Sequence, residues 1–181
     1  MNKQCRIGKQ TICSLLLVGI VLHGGCNSSL GPNVDSDFVP AEFPIPQGLV
    51  HEEFELRPLK VSDAEADYDA VLESKVELRA LLGGEWPPDG FTMEQNRSDL
   101  IVHQQAFRDR ESFTYTVTAT NGKRILGCVY VLPAEDADAQ VYYWIRTSEH
   151  GRGLSESLQM ALKDWLASEW GFVQVEFHGG E

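Results

Sequence analysis

The sequence predicts an α/β fold of the α+β kind, one sheet flanked by helices, and three observations carry that prediction. The apolar pattern switches between strand and helix periods in the order strand, helix, helix, three strands, helix, strand. Asn121-Gly122 falls between two strand-like runs, and an Asn-Gly pair so placed is the strongest short-range hairpin signal. Finally, Gln140-Val-Tyr-Tyr-Trp-Ile-Arg146 reads as a buried strand that runs through Thr-Ser-Glu-His-Gly-Arg-Gly-Leu154 into an amphipathic helix. That last layout can present free backbone N–H groups, at a helix start, to the phosphates of a nucleotide-like ligand. No internal repeat interrupts the order.

The chain opens on a segment unlike the rest. Lys3, Arg6 and Lys9 form a positive region without an acidic residue, Ile12 to Leu22 is a short apolar stretch, and Gly24-Gly25-Cys26 follows. The apolar stretch is short for a bilayer span, which takes about 20 residues, but it suits the centre of a signal peptide. Small residues before a cysteine resemble a bacterial lipoprotein processing site, with Cys26 as the lipidated first residue of a membrane-anchored protein. The position three before the cysteine, usually Leu in that pattern, holds His23. The alternative is a translation start further along, with the first 36 or so residues not made and the protein cytoplasmic. Processing at Cys26 leaves 12 basic against 27 acidic residues, a net charge of −15. It also removes Cys5 and Cys13, so Cys128 has no disulfide partner inside the domain. Residues 1–25 are therefore read as a signal-like segment, 26–49 as a tether and 50–181 as the folded domain.

Each element has its own warrant. Asn27 to Gly48 is rich in Ser, Asn and Gly and contains Pro32, Pro40, Pro44 and Pro46, as a tether would be. Phe38, Val39, Phe43 and Ile45 suggest that its second half lies along the domain surface. Phe54 to Leu59 alternates like a strand, with Pro58 near its end. Ser62-Asp-Ala-Glu65 is a capping-box pattern that starts a helix at Asp63, and Gly83-Gly84 stops its apolar stripe. Glu85 to Gly90 is a loop. Thr92-Met-Glu-Gln95 is a second capping box, opening a helix to about Glu111 with Leu100, His103 and Phe107 on its inner face. Phe113 to Thr120 and Arg124 to Leu132 form the hairpin, and Pro133 to Ala139 is an acidic connector. Leu154, Leu158, Ala161, Leu162, Trp165 and Leu166 recur at helical spacing, and Phe172 to Phe177 is a final strand.

With 181 residues, 43% hydrophobic and 23% charged, the chain has room for one domain with a sizeable core plus an appendage. A net charge of −12 argues against sequence-independent nucleic-acid binding, which needs a basic surface. It leaves an anionic cofactor open, because a local nest of amides acts even inside a negative field. Neither a Gly-x-Ser-x-Gly elbow nor a Walker sequence is present, and His51, His150 and His178 have no metal-ligand spacing.

Five stretches carry a resemblance: Phe54-Glu-Leu-Arg-Pro-Leu59, Gly84-Glu-Trp-Pro87, Phe113-Thr-Tyr-Thr-Val117, Leu126-Gly-Cys-Val-Tyr130 and Tyr143-Trp-Ile-Arg146. With the element order, they resemble the GNAT acyltransferase superfamily, in the texture of an uncharacterised bacterial GNAT-like branch, over about residues 38–178. The resemblance implies a mixed, mostly antiparallel sheet that splays between its fourth and fifth strands and admits acetyl-CoA, with no metal. In such folds the fourth strand, here ending Trp144-Ile145-Arg146, pairs with the pantetheine arm, and the turn after it holds the pyrophosphate. The family pattern (Gln or Arg, two residues, Gly, one residue, Gly or Ala) falls on Ser148-Glu-His-Gly151-Arg-Gly153. Both glycines match, and Ser148 replaces the leading residue. The amides of Gly151, Arg152, Gly153 and Leu154 are then the phosphate binders, with the Arg152 guanidinium as a charge-assisted contact. The competing reading is a plain strand–helix connection whose glycines only permit a tight turn. The family continues past the fifth strand with a helix and two strands. Here only His178-Gly-Gly-Glu181 follow, so the fold is expected to be shortened there, with an acceptor side that is open, completed by a partner, or not catalytic.

Acetyl transfer to an amine needs a base for the ammonium and an acid for the leaving thiolate. The family often uses a Glu and a Tyr, which makes Glu85, Tyr130 and Tyr143 the candidates. Each has a competing role, packing for the tyrosines and a solvated loop for Glu85. Strand alternation puts Tyr142, Trp144 and Arg146 on one face and Tyr143 and Ile145 on the other. His103 is read as a satisfied, half-buried histidine and Cys128 as an inert core thiol. Two functions follow: an acetyl-CoA-dependent N-acyltransferase acting on a small-molecule or peptide amine, or a non-catalytic GNAT-like sensing or interaction domain tethered to a membrane.

Overall fold

The computed structural model describes residues 38–180. The signal-like segment and Cys26 lie outside the described residues. Six strands form one sheet in sequence order: β1 (Leu49–Val50), β2 (Phe54–Pro58), β3 (Phe113–Ala119), β4 (Ile125–Leu132), β5 (Ala139–Ile145) and β6 (Val175–Gly179). All neighbours are antiparallel except β5 and β6, which are parallel. The expected mixed, mostly antiparallel sheet is therefore present. Asn121 and Gly122 make the predicted turn: the Gly122 N–H donates to the Ala119 carbonyl at 2.7 Å and the Lys123 N–H to Asn121 Oδ1 at 3.0 Å.

Three helices, α1 (Ala64–Glu73), α2 (Lys75–Leu82) and α3 (Met93–Arg108), cover one face of the sheet. The other face is covered by α4 (Leu154–Trp165), which runs on into a wider turn over Leu166–Trp170. Phe54, Tyr115, Val129, Tyr143, Leu158 and Trp165 form the core on the α4 side. Leu59, Val71, Leu78, Leu100, Cys128 and Trp144 form the other.

Three local outcomes differ from the sequence expectation. The helix predicted from Asp63 divides at Ser74, and its start is held by Asp63 rather than Ser62. A 3-10 turn over Val61–Asp63 leads into α1, the Lys60 N–H donates to Asp63 Oδ2 at 3.1 Å, and Arg57 makes a two-pronged ion pair with the same carboxylate. The second capping box is real: Gln95 N–H donates to Thr92 Oγ1 at 3.2 Å and Thr92 N–H to Gln95 Oε1 at 2.8 Å. Its helix ends at Arg108, short of Glu111, and Arg110 takes a positive φ of 62°. The last strand starts at Val175 rather than Phe172, because Gly171 in the left-handed region ends the wider turn only there.

At the N-terminal boundary the second half of the arm lies along the domain, as Phe38, Val39, Phe43 and Ile45 suggest. Residues 38–49 do not behave as a free tether. Val39 is buried in the α4-side core, with Phe38, Phe43, Ile45 and Leu49 packed against it. Tyr115 Oη donates to the Pro46 carbonyl at 2.6 Å, and Arg110 holds the Pro40 and Phe43 carbonyls.

Candidate functional site

The turn between β5 and α4 is fixed from both sides by charge. On the α1 side, the Glu73 carboxylate, at the end of α1, accepts Arg146 Nε at 3.0 Å, a second Arg146 nitrogen, and the Ser148 N–H at 2.7 Å. Those Arg146 hydrogen bonds, against the opposing effect of burial and with help from Ser148, hold the Glu73 carboxyl down at about 2. Ser74 Oγ accepts the Thr147 N–H at 3.2 Å. On the other side, the buried Glu149 bridges two arginines. Arg124 contacts one oxygen, and Arg152 Nη1 donates to the other at 2.7 Å. Burial would raise the Glu149 carboxyl, but the hydrogen bonds from Arg152 and Arg124 outweigh it and leave it below the usual range.

Gly151 (φ 72°) and Gly153 (φ 78°) then turn the chain into α4, with Gly153 as the helix N-cap residue. Both occupy the left-handed region that favours glycine. The N–H groups of Arg152, Gly153 and Leu154 have no hydrogen-bond partner among the described residues. Beside them opens a cavity of about 370 Å³ lined by Glu53, Ala119, Arg124, Leu126, Glu149, Arg152 and Leu154. Unpartnered amides at a helix start, next to two guanidinium groups, are suited to the oxygens of a phosphate. The residues present therefore fit a phosphate-bearing cofactor at this turn. His150 does something different: its Nε2 lies 2.9 Å from the Ile145 carbonyl.

The other predicted site residues are dispersed. Arg146 sits at the turn, but its guanidinium is occupied by Glu73 and by the Ile125 carbonyl at 3.0 Å. Trp144 is buried on the α1–α3 face, and its Nε1 donates to Tyr130 Oη at 3.4 Å. Tyr143 and Ile145 are buried on the α4 face, as strand alternation requires. Tyr130 and Tyr143 therefore lie on opposite faces of the sheet and do not converge on one reacting atom. Burial raises both phenols above their ordinary range. Glu85 is exposed in the loop between α2 and α3. Its neighbour Trp86 packs on Phe91 and donates from Nε1 to Asp99 at 3.3 Å. His103 is packed against Tyr130 with Nδ1 3.2 Å from Thr114 Oγ1, and burial lowers it to about 4. Cys128 is buried, with its thiol pushed well up by burial. Among the described residues no cluster of His, Cys, Asp and Glu suits a metal ion, and no helix is long and apolar enough to cross a membrane.

Glu73, Arg124 and Glu149 are the site residues that sequence reading misses. Glu73 and Arg124 reach the turn from 73 and 25 positions away along the chain, so no local motif marks them.

Comparison with solved structures settles the architecture. The chain superimposes on a protein from Vibrio cholerae assigned as a ribosomal-protein-serine acetyltransferase, with a TM-score of 0.61 at 15% identity over 72% of each chain. The fold is GNAT-like. RimL, a ribosomal alpha-N-protein acetyltransferase in complex with coenzyme A, gives a TM-score of 0.52 at 23% identity over 65% of this chain and 66% of that one. RimJ from Mycobacterium smegmatis, in complex with a CoA-disulfide, gives 0.55 at 16% identity over 68% and 61%. The chain thus spans about two thirds of the length of these proteins. No protein-family model and no curated protein matches it.

Within this GNAT-like fold β5 is the strand that precedes the glycine turn, and β6 is its parallel neighbour. The splay expected between them is not seen along β6, because five consecutive residue pairs join the two strands, from Ala139↔Val175 to Tyr143↔Gly179.

Proposed function

We propose that this protein is an acetyl-CoA-dependent N-acyltransferase acting on a small-molecule or peptide amine. The observation that carries this reading is the glycine turn: three unpartnered amides, Arg152 to Leu154, beside a cavity walled by Arg124 and Arg152. The GNAT-like fold supports it, as do structural neighbours that are acetyltransferases solved with coenzyme A or a CoA-disulfide. Acetyl-CoA supplies an activated acetyl thioester. The chain's own part is to seat the phosphates on the amides of Arg152, Gly153 and Leu154. Glu149 meanwhile holds both guanidinium groups at the edge of the cavity by ion pairs. A net charge of −12 suits an acceptor that is a cation before its amine is deprotonated.

One observation favours a second reading, a non-catalytic GNAT-like domain that binds a ligand or partner. Tyr130 and Tyr143 face opposite sides of the sheet and Glu85 is solvated, so no proposed acid and base converge. In this reading Gly24-Gly25-Cys26 supports a lipid tether at the membrane, which the mass of the mature N-terminus in the host decides.

Titration of the purified protein with acetyl-CoA, by calorimetry and thermal shift, tests the cofactor. Saturating ligand is expected to add a few kcal/mol of stability. Gly153→Val, with a β-branched side chain forced to a positive φ, is expected to weaken binding at least tenfold. Absence of any shift at millimolar acetyl-CoA sinks both the enzyme and the cofactor seat. Given binding, turnover with a peptide or polyamine acceptor separates the two readings.

A further inference from the structure

On the α1–α3 face of the sheet, alternation and register put four side chains in one row. Thr114 pairs with Tyr130, Tyr130 with Tyr142, and Tyr142 with His178, so the row crosses β3, β4, β5 and β6. The neighbouring row, Thr116, Cys128 and Trp144, is buried where α1 packs on β4 and α3 on β3. One step along the strands, Tyr130, Tyr142 and His178 are only half-buried.

Aromatic side chains directly opposite each other on adjacent strands ordinarily pack together. Here the middle pair separates. Tyr130 turns to α3, with its ring 5.4 Å from that of His103 and its hydroxyl accepting the Trp144 Nε1–H. Tyr142 turns the other way and stacks on His178, with ring centroids 4.4 Å apart and planes 21° from parallel. Among the described residues no ring contact joins Tyr130 to Tyr142, so the second face of Tyr142 has no aromatic partner.

The charges around this gap are of one sign. Glu176, opposite Gln140 in the register, is exposed and lies 3.9 Å from His178 Nε2. Among the described residues it pairs with no Lys or Arg. Its charge reaches the row, since burial first and then Glu176 raise the Tyr142 phenol above its ordinary range. The connector that leads into β5 adds Glu135 and Asp136, both exposed, and the whole chain carries −12. An open ring face beside an unpaired carboxylate is matched by a planar cation. A guanidinium stacks on a ring and forks onto a carboxylate at once, whereas an ammonium lacks the plane.

We propose that the gap between Tyr130 and Tyr142 is a binding slot for the guanidinium of an arginine-bearing peptide, stacked on Tyr142 and paired with Glu176. Neither Tyr142 nor Glu176 takes part in the glycine turn, so the slot stands or falls apart from the acetyl-CoA reading.

Titration of the full chain with the peptide acetyl-Gly-Arg-Gly-amide, followed by NMR at the Tyr142 and His178 ring resonances, tests it. Both rings are expected to shift and to saturate. Citrulline in place of arginine keeps the plane without the charge, and lysine keeps the charge without the plane. Each is expected to bind at least about fivefold more weakly. Tyr142→Leu removes the ring face and Glu176→Gln the carboxylate, each at an expected loss of about fivefold, whereas Tyr142→Phe is expected to stay within about twofold of wild type. Circular dichroism separates loss of the slot from loss of the fold, and the three peptides test the wild-type protein without any variant. Absence of shifts, equal binding of the three peptides, or undiminished affinity in folded Tyr142→Leu overturns the slot. Adenosine shifting the same rings where the arginine peptide does not would make this a base-stacking site and overturns the guanidinium assignment.

Discussion

Asp67 sits where a charge is costly. It is 4% exposed, on the sheet-facing side of α1, with Asn96 Nδ2 donating to it at 3.0 Å and the Cys128 thiol at 3.6 Å. Burial pushes its carboxyl up from 3.8 to about 6, and the two hydrogen bonds only partly oppose it. The folded state therefore binds this proton more tightly than the unfolded state. Stability is highest below the ordinary value and falls as pH rises from about 4 to 6, by up to about 3 kcal/mol. Asp67→Asn removes the titration. It also offers a donor to Asn96 Oδ1, which is buried without a partner. The variant is expected to be more stable than wild type at pH 8, with the gap closing at pH 4. Urea midpoints for both proteins at the two pH values check this, and parallel shifts would show that Asp67 does not titrate in the fold.

Scaled up to elements, the sheet depends on one close approach. Between Val117 and Thr118 the β3–β4 register shifts, which leaves Leu126 as an extra residue beside Gly127 in β4. At Gly127 an added Cβ would stand 1.9 Å from the Trp144 carbonyl oxygen of β5, and backbone cannot swing aside as a side chain can. Gly127→Ala is expected to cost about 3 kcal/mol by forcing β4 and β5 apart, just where β5 feeds the glycine turn. Circular dichroism melts of this variant and of Gly122→Ala, whose added Cβ meets nothing within 4 Å, separate crowding from turn strain. Equal losses in the two would mean that the strands can part freely. The elements were readable because each has a local cause: alternation in β3, short apolar runs in β4 and β5, a reciprocal Thr92–Gln95 cap, and Asn-Gly in the hairpin. The division of the first helix at Ser74 was not, since Ser74 is held by Thr147, 73 residues on. The site divides in the same way. Its glycines are contiguous and legible, and the opposite faces of Tyr130 and Tyr143 follow from strand geometry. The clamps from Glu73 and Arg124 arise only when distant segments meet.

For the molecule as a whole, three charge effects act on stability over overlapping pH ranges. Glu73, held at about 2 against an ordinary 4.5 by Arg146, stabilises the fold above about 4.5 and loses that contribution as pH falls toward 2. Asp67 acts with the opposite sign between about 4 and 6. Beyond these two, a net charge of −12 at pH 7 repels itself, and the repulsion fades as pH approaches the isoelectric value near 4.8. The combined expectation is a stability maximum between about pH 4 and 5, rather than at neutrality. Salt at about 0.5 M screens exposed charges beyond a few ångströms. It is expected to raise the midpoint at pH 8 and to change it little near pH 5. Glu73→Gln should lower the midpoint by a constant amount above about pH 5 and converge on wild type as pH falls toward 2, flattening the acid-side fall. Denaturant midpoints from pH 3 to 9, at low and high salt, measure all of this. A profile that climbs steadily to pH 8 in both salts would mean that neither the buried Asp67 nor the net charge governs the fold.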